Sequence, residues 1–150
     1  MRLSFQLLFI LILSLSQSAA PEAVAAAAEG CERGSTVETK QCLLKQLRAK
    51  DEALLEALER VALMAADSSM QDFHSRWRRI LQETYQASSD PALQFDAFVR
   101  QRRQVCAYSK SIAFGGSGFS GFMYDCELAL TQALLQQLPV WAGHPSMMKP

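Results

Sequence analysis

The residues of this chain with chemistry to offer are four cysteines, two histidines, a set of glutamates and one misplaced arginine. Cys31, Cys42, Cys106 and Cys126 lack the paired short spacing, such as C-x2-C, that a zinc site wants. An even number of cysteines in a small exported domain reads as two disulfides instead. His74 has Asp72 and Ser75 beside it, which invites comparison with a hydrolytic triad. Neighbours in a helical sequence point to different faces, however, so an exposed histidine is expected. Glu52, Glu56 and Glu59 recur at helical spacing, as metal or acid–base carboxylates would. They have no histidine partners, and Lys45, Arg48 and Lys50 lie close, so a solvated acidic face is expected. Gly115-Gly116-Ser117-Gly118 lacks the lysine and the preceding strand of a phosphate-binding loop, and reads as a turn. No HExxH pair and no nucleophile elbow is present. The expectation is a non-enzyme with no catalytic residue, no metal and no cofactor.

Arg102 lies four residues after Phe98 and four before Cys106, on the apolar side of its segment. A guanidinium there requires a carboxylate or several carbonyls. Glu38, Glu52 and Glu56 are the candidates, which would make Arg102 a tie between the third helix and the first.

The elements that must hold these residues are all helical. Ser35-Thr36-Val37-Glu38 is a capping-box pattern, and the Leu/Ala/Glu/Lys-rich stretch from Thr36 to about Ala66 contains no Pro or Gly. Its apolar stripe, Leu43, Leu47, Leu54, Leu58, Val61 and Ala65, is interrupted near Lys50 and Asp51. Ser68 with Gln71 can cap a second helix, marked by Phe73, Trp77, Ile80 and Leu81 and running to about Ala87. Trp77 with Phe73 is more readily core than a ligand platform. Asp90-Pro91 starts a third helix to about Ala113, with Phe95, Phe98, Val105 and Ile112 on its buried side. A fourth runs from about Phe119 to Leu138, with Phe122, Met123, Cys126, Leu130, Leu134 and Leu138 on one side. No strand-like alternation of useful length occurs. The fold class is all-α, a small bundle of three to four helices containing an antiparallel helical hairpin.

That hairpin orders the cysteines. Cys106 lies ten residues before Gly116 and Cys126 ten after it, so a turn at the glycines brings them to one height, within disulfide reach. Cys31 then pairs with Cys42.

Residues 1–28 read as a secretory leader: Arg2, the apolar run Leu7 to Leu13, then small residues, with cleavage between 19 and 28. The run is about half of the ~20 residues a membrane span needs, so no stable membrane anchor is expected. Residues 29–139 form the domain, residues 140–150 a flexible tail containing His144, and the location is periplasmic or secreted.

The chain of 150 residues has net charge +0, and the zero survives loss of the leader, which removes Arg2 and Glu22. A neutral chain does not suit nucleic acid, and none is expected as a partner. The charge is unevenly placed. From Phe73 to Ala113, Arg76, Arg78, Arg79, Arg100, Arg102, Arg103 and Lys110 outnumber Glu83, Asp90 and Asp96 by four, a face an anionic envelope partner would meet.

Taken together, Cys31, Thr36, Glu38 and Cys42 before a Leu/Ala/Glu helix, then Phe98, Arg102, Arg103, Cys106, Gly115, Gly116, Ser117, Cys126 and Thr131, resemble the lysozyme inhibitor LprI-like family over residues 30–138. Phe98 stands where that family usually has tryptophan, Arg103 where it has aspartate, and Leu134 where it often has arginine. The resemblance implies a secreted helical domain with a structural role for Glu38, Phe98, Arg102, Gly115, Gly116, Ser117 and Thr131. It also implies lysozyme or another envelope protein as partner. Ser120-Gly121-Phe122-Met123-Tyr124 also matches the S-G-x-x-Y motif of an unrelated β-barrel group of lysozyme inhibitors, in which Ser and Tyr enter the lysozyme cleft from a loop. The match is read as coincidence, since its companion motif is absent and the segment opens a helix here. Ser120, Tyr124, Glu52, Glu56 and Glu59 are the candidate partner-binding residues. The alternative expectation is an envelope structural or stress-related interaction module without lysozyme activity.

Overall fold

The computed structural model describes Gly30, Cys31 and residues 34–142, with the side chains of 139–142 left aside. Residues 1–28, expected as a leader, and residues 143–150, which include His144, lie outside the described residues. The described residues form four helices: α1 (Thr36–Ala66), α2 (Phe73–Tyr85), α3 (Pro91–Ser109) and α4 (Phe119–Ala142), with one 3-10 turn at Ser111–Ala113 between α3 and α4. Among the described residues there is no strand, and the molecule is an all-α bundle. Among the described residues no helix is long and apolar enough to cross a membrane.

Local chemistry sets the helix starts. Ser35 Oγ accepts the Glu38 amide while the Glu38 carboxylate accepts the Ser35 amide at 2.8 Å, which closes the capping box of α1. Asp90 Oδ1 accepts the amides of Ala92 and Leu93, and Pro91 occupies the first turn of α3, where its missing N–H costs nothing. The start of α2 differs from expectation. Asp72, in left-handed backbone with φ 57°, precedes the helix without a side-chain cap, and Ser68 Oγ serves only the Met70 amide within the preceding turn. A cap at Ser68 lies too far upstream to reach the free amides of a helix beginning at Phe73.

The main interface joins α1 to α4. Leu43 and Leu47 of α1 and Leu128 of α4 form one buried cluster with Cys31, flanked by Cys42, Tyr124 and Ala129. Leu54 and Leu128 are fully enclosed, each adding about 1.5–3 kcal/mol from the apolar surface withdrawn from water. The two disulfides join Cys31 to Cys42 and Cys106 to Cys126, with Cα–Cα distances of 5.6 and 5.8 Å. Closing loops of that size restricts the unfolded chain by roughly 3 kcal/mol each in the loop-entropy account. The second bridge fastens α3 antiparallel to α4 beneath the glycine turn.

Several expected core positions lie on the outside. α3 stops at Ser109, four residues before Ala113, and the 3-10 turn that follows advances by a different angle per residue. Ile112 is therefore carried out of phase and is 99% exposed, and Val105 is also exposed. The buried side of α3 consists of Arg102 and Cys106, with Phe95 and Phe98 half-buried. In α4, Phe122 and Leu130 are exposed and Glu127, Leu128 and Thr131 are buried, so the inward stripe is rotated toward the polar residues. α4 also continues through Pro139 to Ala142, where a tail was expected from 140. Proline has no N–H to donate and its ring crowds the carbonyl four residues back, a cost that is smaller near a helix end than in mid-helix. α2 buries no residue fully; Phe73, Trp77 and Leu81 are half-buried and Ile80 is exposed.

Candidate functional site

The densest polar constellation surrounds Arg102, enclosed to 3% exposure between α1, α3 and α4. Its Nη1 and Nη2 donate to the two carboxylate oxygens of Asp51, a bidentate fork, with Nη2–Oδ2 at 3.0 Å. Its Nε donates to Glu127 Oε2 at 3.2 Å, and Nη1 also donates to Thr131 Oγ1. The Thr131 hydroxyl in turn donates to the Glu127 carbonyl at 2.9 Å. Phe98 covers the guanidinium, with its ring centroid 5.4 Å from Cζ. One buried cation facing two carboxylates leaves an excess negative charge, and Arg103, largely in solvent, sits 3.7 Å from Glu127 Oε1 to offset it. No buried side-chain nitrogen or oxygen among the described residues lacks a hydrogen-bond partner.

The expected tie between the third and first helices exists, but through a different carboxylate. Asp51 holds Arg102, whereas Glu52 and Glu56 face solvent one helical step away and Glu38 is engaged in the α1 cap. Asp51 stands four residues after Leu47 and three before Leu54, both buried. The interruption in the α1 apolar stripe is thus the site itself: the inward position at that height holds a charge. Glu127 belongs to the fourth helix and has no apolar neighbour pattern that singles it out in sequence. Its one signal is its place four residues before Thr131, on the same helical face.

Chemically, the cluster is closed. The Thr131 proton goes to a backbone carbonyl, not to a base, and both carboxylates are directed at guanidinium groups. The arrangement joins three helices at one point and orients the Cys106 hairpin one turn further along α3.

The other candidates are surface features. Glu52, Glu56 and Glu59 are all exposed along α1, and Glu56 makes only a loose contact with Arg60 at 3.8 Å. Two backbone and side-chain hydrogen bonds from Ser35 hold the Glu38 carboxyl below its usual value of 4.5. Ser120 and Tyr124 lie in the first turns of α4, not in a loop, and Tyr124 packs against the Cys31–Leu43 cluster. His74 is exposed and stacks on Trp77 at 5.9 Å. Trp77 and Leu81 of α2 meet Leu58, Val61 and Ala62 of α1 across a shallow groove. Gly115 adopts φ +87° in the turn that joins the hairpin, and Gly116 donates back to the Ala113 carbonyl at 3.2 Å. No group of three or more His, Cys, Asp or Glu that could hold a metal gathers among the described residues.

Fold and site together define a small disulfide-tied helical bundle closed by a buried arginine–carboxylate cluster. Comparison with protein-family models, with curated proteins and with solved structures finds no match to this chain.

Proposed function

We propose that this chain is an exported, non-enzymatic binding domain that inhibits lysozyme by occlusion. The observation that carries the reading is the division of its carboxylates. Asp51 and Glu127 are committed to Arg102 in the interior, while Glu52, Glu56 and Glu59 stand exposed on one length of α1. Common lysozymes are cationic, and an exposed acidic stripe on a rigid helix supports fast, oriented association with such a surface. Export is supported by the leader pattern at 1–28 and by two disulfides, which persist in oxidising compartments. The resemblance of the cysteine, glycine-turn and Arg102 pattern to lysozyme inhibitors of the LprI-like family supports the same reading.

A second reading, an envelope interaction module without lysozyme activity, draws on one observation. Arg76, Arg78 and Arg79 are all exposed on α2, a cationic face that repels a cationic enzyme and suits an anionic partner. Titrating the processed chain against several lysozymes in a cell-wall lysis assay separates the two. Saturable inhibition near stoichiometric ratios is expected from the first; undiminished lysis at large molar excess supports the second.

A further inference from the structure

The end of the molecule at which α3 turns into α4 carries an unusual concentration of bare apolar side chains. Val105, Tyr108, Ile112, Phe114 and Phe122 are each more than half exposed, Tyr108 at 86% and Ile112 at 99%. They come from the last turns of α3, the 3-10 turn, the glycine loop and the first turns of α4, so the topology gathers them at one pole. The Phe114 and Phe119 rings meet at 4.5 Å across the loop, and the Cys106–Cys126 bridge clamps its base. The apolar tip is therefore held in place, not left to collapse onto the bundle.

Its charge is equally uneven. Between Gln104 and Tyr124 the sole charged residue is Lys110. The next carboxylate along the chain is Asp125, half-exposed in α4. We propose that this tip is a membrane-docking surface that seats in the headgroup region of an anionic lipid bilayer. Tyr favours the membrane–water interface, and Phe is among the apolar side chains that interfacial binders bury at the headgroup–acyl boundary. An apolar tip without carboxylates meets no repulsion from anionic headgroups, and Lys110 adds attraction. The tip is far too short to span a bilayer, so docking is peripheral and reversible. Lipid docking of this tip does not depend on lysozyme binding by α1.

The test is sedimentation of the processed chain with vesicles of phosphatidylcholine mixed with phosphatidylglycerol, beside vesicles of phosphatidylcholine alone. The unaltered chain should partition onto the mixed vesicles. Ile112→Ser with Phe114→Ser should lower that partition by about tenfold or more. Lys110→Glu should weaken binding to the mixed vesicles without changing the weaker binding to neutral ones. Ile112 and Phe114 are exposed, so helicity and both disulfides should persist in the variant, which far-ultraviolet circular dichroism and mass analysis check. Absence of vesicle binding by the unaltered chain, or equal binding by the double variant, overturns the proposal. So does a dimer in sedimentation velocity that the same two substitutions dissociate, because the tip would then be covered by a second copy of the chain.

Discussion

Arg102 is the residue on which the interior turns. Its guanidinium is satisfied by Asp51, Glu127 and Thr131 at once. Removing it deprives the buried Glu127 and the part-buried Asp51 of their shared cation. Arg102→Met should therefore cost about 3–5 kcal/mol of stability, the usual penalty for breaking a buried ion pair from one side. The triple change Arg102→Met, Asp51→Leu, Glu127→Met should recover most of that loss, because no charge is then stranded. Urea unfolding of the two variants checks both. A second prediction concerns Glu38. Its carboxyl titrates below 4.5 because Ser35 donates to it, so its folded value is depressed relative to the unfolded chain. The stability it contributes is fully present above 4.5 and disappears as pH falls through the lower, folded value. Ser35→Ala removes the hydroxyl donor and keeps the larger backbone one, so the Glu38 titration should move only part of the way up toward 4.5, read by carboxyl-carbon nuclear magnetic resonance. An unmoved titration in that variant contradicts the capping-box account. At this scale the sequence shows that Arg102 needs an anion but not which one. Asp51 is disguised as a flaw in an apolar stripe, and Glu127 is supplied by a helix whose rotation depends on tertiary packing.

At the scale of elements, the hairpin depends on two glycines in opposite ways. Gly115 holds φ +87°, and a Cβ there would meet nothing within 4 Å, so the cost of Gly115→Ala is conformational alone. A loss of about 1 kcal/mol is expected. Gly121 lies inside α4, also with open space around a new Cβ. Gly121→Ala should stabilise by about 0.5–1 kcal/mol, the helix-propensity difference. Thermal unfolding of the pair should shift in opposite directions, and shifts of the same sign contradict the assigned turn and helix. The helices and both disulfide pairings are legible in the sequence because they depend on local signals: caps at Ser35 and Asp90, breakers at the glycines, equal spacing of Cys106 and Cys126 about Gly116. Which faces turn inward is less legible. Val105 and Ile112 continue the apolar period of α3 on paper, but the helix ends at Ser109 and the chain reverses before Ile112 can reach the core.

Across the whole molecule, the zero net charge resolves into separate surfaces. Arg102 leaves the basic surplus counted along residues 73–113, because it is buried and neutralised, and Arg103 is partly drawn to Glu127. The solvent-facing cations of this stretch are Arg76, Arg78 and Arg79 of α2 with Arg100 of α3, the Glu52, Glu56 and Glu59 stripe on α1 lies between Lys50 and Arg60, and the hairpin tip carries Lys110 alone. The claim that the α1 stripe is the lysozyme-facing surface is tested most directly by one comparison. Inhibition of lysozyme in a cell-wall lysis assay is measured for the unaltered chain and for Glu52→Gln/Glu56→Gln/Glu59→Gln. The account predicts inhibition by the first and a rise of about tenfold in the concentration needed by the second, from three lost charge contacts at the rim of an interface. Equal potency of the two chains, or no inhibition by the unaltered chain at large molar excess, would contradict it.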